Sequence, residues 1–230
     1  MTTMKKVRRV FAALLLSCTL WGSVANADAY YYGTGNSDMA AVGRVYYQYS
    51  ESSDMMRGSG FFIKGGYFVT NYHVGYNHPE MKILEGEWNP GDYAIMGELV
   101  KLDKGKDLAL YKTNAVDHWY LELAESLNTS DQFRTYGNGV DPGEHFADKT
   151  GYLMQKDYYA DITYEYGNML MKVNRFSFTS YGGSSGSAVL DSSDKVVGVV
   201  TGSVNADHTA LVISLEDLKN FLKGVVENEG

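Results

Sequence analysis

Three side chains in this chain have the types and the order needed for nucleophilic acyl transfer. His73 lies in Val69-Thr70-Asn71-Tyr72-His73-Val74, and Asp107 opens Asp107-Leu108-Ala109-Leu110. Ser185 lies in Gly182-Gly183-Ser184-Ser185-Gly186-Ser187-Ala188. A serine hydroxyl is a weak nucleophile at neutral pH and needs an imidazole to take its proton. The imidazole needs a carboxylate to fix its tautomer and to stabilise its cationic form. The order His, Asp, Ser is one of the known orders for such a triad. Small residues packed as densely as 182–188 let the backbone turn tightly. They bring N–H groups close enough to hold a developing oxyanion.

Other residues compete for these roles. Gly/Ser-rich stretches are commonly plain loops. Of His73, His78, His118, His145 and His208, only His73 sits in a patterned segment. Asp103 lies in the charged turn Asp103-Lys104-Gly105-Lys106, whereas the apolar run after Asp107 buries the segment behind it. Gly182-Gly183-Ser184-Ser185-Gly186 also fits G-x-S-x-G centred on Ser184, the elbow of esterase-type hydrolases, with Asp194 and His208 in the matching chain order. That elbow demands a helix directly after it. Here Ala188-Val189-Leu190, the polar turn 191–195 and Val196 to Val200 read as strand, turn, strand.

The elements that must position these groups are short strands. Candidates are 40–49, 60–63, 67–70, 81–84, 93–102, 108–112, 133–136, 151–155, 169–173, 188–190, 196–200 and 210–213. Ser50 to Arg57 reads as a polar turn region. Many short strands at fairly even spacing point to an all-β barrel or sandwich, with no βαβ alternation. One helix is expected at the end, capped by Ser214, with Leu215, Leu218 and Leu222 on one face.

The start of the 230-residue chain has the form of an export signal. Lys5, Lys6, Arg8 and Arg9 precede an apolar stretch, and Ala25-Asn26-Ala27 is an A-x-A cleavage site, so residues 1–27 are expected to be removed. The product is then periplasmic or secreted, with no membrane span, since the apolar run is too short. The single cysteine, Cys18, falls inside the signal, so the mature chain is expected to hold no disulfide and no thiolate metal site. A core formed by about 200 residues suffices without disulfides. The net charge of −8, more negative still once the signal is gone, argues against nucleic acid or anionic lipid as a partner. No cofactor or metal is expected: the acidic positions lack EF-hand spacing. The 19 tyrosines are read as strand residues with one wet end rather than as a ligand site.

With Gly58-Ser59-Gly60-Phe61 added to the three segments above, the chain resembles the trypsin-like serine peptidases of chymotrypsin fold. It is most similar to the bacterial HtrA/Deg and V8-like branch. The resemblance covers about Ala40 to Lys223. It implies two six-stranded antiparallel β-barrels with a C-terminal helix. Residues 28–121 would form the first barrel, with His73 and Asp107. Residues 122–230 would form the second, with Ser185 and the helix. It implies His73 as base, Asp107 as its orienter, Ser185 as nucleophile, and an oxyanion hole from the N–H groups of Gly183 and Ser185. It places the base of the S1 pocket at Thr179, with walls from Ser180 to Gly182 and from Val200, Thr201 and Gly202 to Ser203. These residues are uncharged, so uncharged P1 side chains are expected, unless His208 reaches the pocket and admits an acidic one.

The departures also matter. Ser184 replaces the aspartate that pairs with a freed N-terminus in animal enzymes, so that switch is not expected. Ser187-Ala188 stands for the usual Gly-Pro. No PDZ-like domain is expected after the catalytic unit, so the assembly of full HtrA proteins is not expected either. Val200 stands where glutamate-specific relatives carry histidine. The function implied is an exported serine endopeptidase acting on protein or peptide substrates, its oligomeric state open. The alternative is a non-catalytic binding protein on the same fold, against which the intact triad argues.

Overall fold

In the first half of the chain, residues 67–70 and 108–113 are apolar runs buried almost throughout, while 95–103 is half-exposed with Gly97 buried. The protein is described here by a computed structural model covering residues 42–50, 53–85, 95–137, 147–164 and 166–225. The expected signal over 1–27 and the tyrosine-rich segment after it lie outside the described residues. Strands β1 (Val42–Ser50), β2 (Ser53–Ile63), β3 (Tyr67–Thr70), β4 (Glu80–Glu85), β5 (Ile95–Asp103) and β6 (Leu108–Thr113) pair antiparallel in the order β1-β2-β3-β6-β5-β4, with β4 also meeting β1. A single helical turn, α1 (Tyr72–Gly75), follows β3. The polar stretch read as a turn before residue 57 is instead the first part of β2, because β1 pairs with it from Ser50↔Ser53 onward.

The second sheet contains β7 (Gln132–Gly137), β8 (Ala147–Tyr164), β9 (Gly167–Thr179), β10 (Ala188–Leu190), β11 (Val196–Ser203) and β12 (Thr209–Ser214). They pair in the order β10-β11-β12-β9-β8-β7, with β7 meeting β10. Helix α2 (Leu215–Leu222) ends the described chain. Ser214 caps it, accepting from the Asp217 N–H at 3.1 Å and donating to the Asp217 carboxylate at 2.8 Å.

The expectation of two like six-stranded barrels needs correction. The two sheets are unequal, and neither is the regular cylinder that the resemblance implied. β10 has three residues and meets β7 through Val189↔Thr135 and Leu190↔Arg134 alone. β4 meets β1 only between Gly43↔Glu85 and Tyr46↔Lys82. Much of the second sheet is a long two-stranded arm. β8 leaves β7 at Tyr152 but stays paired with β9 up to Tyr164↔Gly167. The cause is in the sequence: 155–159 are polar or tyrosine and largely exposed, so this part of β8 needs no cover on its outer face.

The described residues belong to one compact unit. One apolar cluster joins Phe61, Val69, Leu108 and Leu110 of the first sheet to Val173, Val199 and Leu211 of the second. Leu218 and Phe221 of α2 belong to the same cluster. Lys106, beside Asp107, pairs with Asp217 of α2. Candidate residues on the two sheets are thereby held against each other without a disulfide.

Candidate active site

Asp107 is fully buried at the mouth of β6, with a left-handed backbone (φ 52°). Its carboxylate is held by four donors. Oδ1 accepts the His73 backbone N–H at 2.9 Å. Oδ2 lies 2.8 Å from His73 Nδ1 and accepts the Thr201 hydroxyl. The Tyr164 hydroxyl donates to the same Oδ2 from 3.2 Å. The Asn71 amide donates to the Asp107 carbonyl at 3.0 Å. So many donors offset the cost of burying a carboxylate. An ionised carboxylate can only accept, so Nδ1 carries the ring proton and Nε2 keeps its lone pair. That is the tautomer a general base requires.

The ring of Tyr164 packs on His73 at 4.8 Å and stacks on Tyr166 at 5.1 Å. Burial, with the Asp107 charge adding to it, pushes the Tyr164 phenol far above the ordinary tyrosine range, so it remains a donor. It also lies 2.9 Å from the Thr201 Oγ1. Both residues come from the second sheet and reach the carboxylate of the first.

Ser185 and His73 line one cavity of about 380 Å³. The hydrogen bonds of the His73 ring go to Asp107 and none to Ser185. Such contacts are commonly loose in ligand-free enzymes and tighten on substrate. The loop before Ser185 is shaped by Gly183 (φ 98°) and Gly186 (φ 92°). The N–H groups of Ser184, Gly186 and Ser187 donate to Tyr181, Val200 and Ser184 carbonyls. Among the described residues, those of Gly183 and Ser185 donate to no backbone carbonyl.

Ser180, Tyr181, Gly182, Thr201, Gly202 and Ser203 line the same cavity as His73 and Ser185. Thr179 and Val200 instead border a much smaller pocket behind it, with Ser184. His208 is exposed and packs on Tyr181 at 4.9 Å, outside the cavity lining. Asp194 pairs with Arg134, and strand β10 follows Gly186, so the helix required by an elbow at Ser184 is absent at that point.

Sequence reasoning missed six cavity residues, 161–164, Asn205 and Leu211, and two of them carry chemistry. Asp161, from β8, brings a carboxylate into a wall expected to be uncharged, and Tyr164 supports Asp107. Neither lies in a motif. Both are brought in by the unexpected length of the β8–β9 arm.

The family model for the trypsin-like peptidase domain matches residues 58–199. The chain belongs to that family. A sequence search of curated proteins finds no match. Among solved structures, the active form of the Rv3671c protease from M. tuberculosis superimposes with a TM-score of 0.67 at 19% identity, over 80% of each chain. The serine endoprotease from Yersinia pestis gives 0.64 at 18%, over 83% of this chain and 64% of its own. The HtrA-type protease AlgW with a decapeptide gives 0.65 at 17%, over 82% and 65%. The chain thus spans under two thirds of these last two, and identities this low carry the fold alone. Family membership makes this chain a trypsin-like serine endopeptidase, and its fold is like that of the HtrA-type enzymes. Among the described residues, no helix is long and apolar enough to cross a membrane.

Proposed function

We propose that the trypsin-like peptidase is exported and cuts peptide bonds through His73, Asp107 and Ser185. The observation that carries this is the buried Asp107 carboxylate holding the His73 ring at 2.8 Å beside Ser185 in one cavity. His73 Nε2 takes the Ser185 proton as Oγ attacks the scissile carbonyl, and later gives it to the leaving amine. Asp107 stays ionised and stabilises the imidazolium. The N–H groups of Gly183 and Ser185 receive the oxyanion. Water then releases the acyl-enzyme by the same route. Substrate lies along Ser180, Thr201 and Gly202, with Thr179 and Val200 shaping the floor from behind.

The signal over 1–27 is cut after Ala27, which leaves the mature enzyme periplasmic or secreted. The catalytic halves are 28–121 and 122–230. A fluorophosphonate probe on the mature protein, followed by peptide mapping, tests the reading. Labelling of Ser185 that requires His73 is expected. Labelling at Ser184, or none alongside an absence of cleavage of a diverse peptide pool, overturns it.

A further inference from the structure

Ser59 is fully buried on β2, and all three of its backbone and side-chain polar groups are committed to the region of the nucleophile. Its N–H donates to the Ser185 carbonyl at 2.7 Å. Its hydroxyl donates to the Gly183 carbonyl at 2.8 Å. Its own carbonyl accepts the Thr70 hydroxyl at 2.7 Å, which ties the arrangement to β3. The approach is backbone to backbone. A Cβ on Gly186 would lie 1.9 Å from the Ser59 oxygen, and one on Gly58 would lie 2.9 Å from the Ser185 oxygen.

Gly182 and Gly183 are the weak point of an oxyanion hole. Glycine enters a conformation such as φ 98° at no steric cost and leaves it as readily. Nothing in the side chains of 182 and 183 holds the Gly183–Ser184 peptide, which lies between the Gly183 and Ser185 N–H groups. Some outside contact must hold it, and the Ser59 hydroxyl makes one at the Gly183 carbonyl. The Ser59 N–H fixes the Ser185 carbonyl in the same way. Gly183 and Ser185 are therefore gripped at their carbonyls by one and the same serine.

We propose that Ser59 is a positioning residue whose hydroxyl locks the Gly183–Ser184 peptide between the two donors, so that the N–H groups of Gly183 and Ser185 converge on the transition-state oxygen. The proposal rests on those two groups forming the oxyanion hole. Such a role is felt in the transition state and hardly in the ground state.

The test is Ser59→Ala in the mature enzyme, with kcat and KM on a cleaved peptide, and inhibition by a peptide boronate of the same sequence. Thermal unfolding checks the fold. Expected is a fall in kcat of about 10- to 100-fold, as for a misplaced rather than a deleted oxyanion donor. KM should stay within about 2-fold, and boronate affinity should fall in step with kcat. A folded Ser59→Ala enzyme with wild-type kcat and boronate affinity overturns the proposal. If that variant does not fold, Ser59→Cys keeps the volume with a much weaker donor. A fall in kcat with unmoved KM then supports the proposal, and unchanged kcat overturns it. Wild-type enzyme that resists the fluorophosphonate at Ser185 defeats the reading of the site itself, and this proposal with it.

Discussion

Replacing Tyr164 with phenylalanine separates support of the carboxylate from catalysis. The change deletes one oxygen, which sits 3.2 Å from Asp107 Oδ2 and 2.9 Å from Thr201 Oγ1. The ring contact with His73 at 4.8 Å is kept. A hydrogen bond to a charged group contributes about 1.5–3 kcal/mol. For a chain of this size that corresponds to a fall in Tm of about 3–12 °C. Asp107 retains the His73 N–H, the His73 ring and the Thr201 hydroxyl, three of its four donors. The carboxylate therefore stays in place, and kcat/KM should fall by no more than about 10-fold. Differential scanning calorimetry and steady-state cleavage of one fluorogenic peptide give both numbers. A Tm unchanged within about 1 °C refutes the bond to the buried carboxylate. A loss of activity as deep as that of removing Asp107 refutes the division of roles.

Ser185→Ala should lower kcat on the order of 10⁶-fold, while Ser184→Ala, whose residue borders the small rear pocket, stays within about 10-fold. Burst-free single-turnover assays of both variants decide this. Asp107→Asn should cost about 10⁴ in kcat through the wrong tautomer of His73, with the fold retained by circular dichroism. kcat/KM should fall toward acid as the general base takes up a proton, and a profile with no acid limb between about pH 5 and 8 would count against histidine. Asp161→Asn should reduce cleavage of peptides bearing Lys or Arg by only about 1.4- to 5-fold, the scale of an exposed ion pair, and leave neutral peptides unchanged. Library profiling of the two enzymes reads that ratio.

The site was legible where chemistry and local pattern coincide. Asp107 opens a short apolar run, and His73 and Ser185 each lie within a few residues of one, so type, order and local pattern point the same way. Strands β3, β6, β10 and β11 were legible through their apolar runs, which are buried at most positions. The β8–β9 arm was not. Polar and tyrosine residues between 155 and 166 weaken the alternation, and a register shift at Gln155/Tyr158 beside the left-handed Asp157 breaks it further. Tyr164 and Asp161 were lost with it, because only the paired arm carries them to the cavity. Ser59 was visible as part of a motif, yet its task depends on a contact 124 residues away in the chain. No local pattern contains that contact.

The left-handed backbone of Asp107 restricts what this position can become. At φ 52° a β-branched or bulky residue is strained, and asparagine, aspartate and glycine are the residues that sit there readily. The genetic route away from an acid here is therefore narrow. Copies of this gene released from selection for proteolysis should drift at this codon toward Asn or Gly, keeping the turn into β6 while losing the charge. Deep mutational scanning scored for folded protein, rather than for activity, should find the same short alphabet. Free acceptance of valine, isoleucine or threonine there would mean that the turn relaxes and that the backbone does not select the residue.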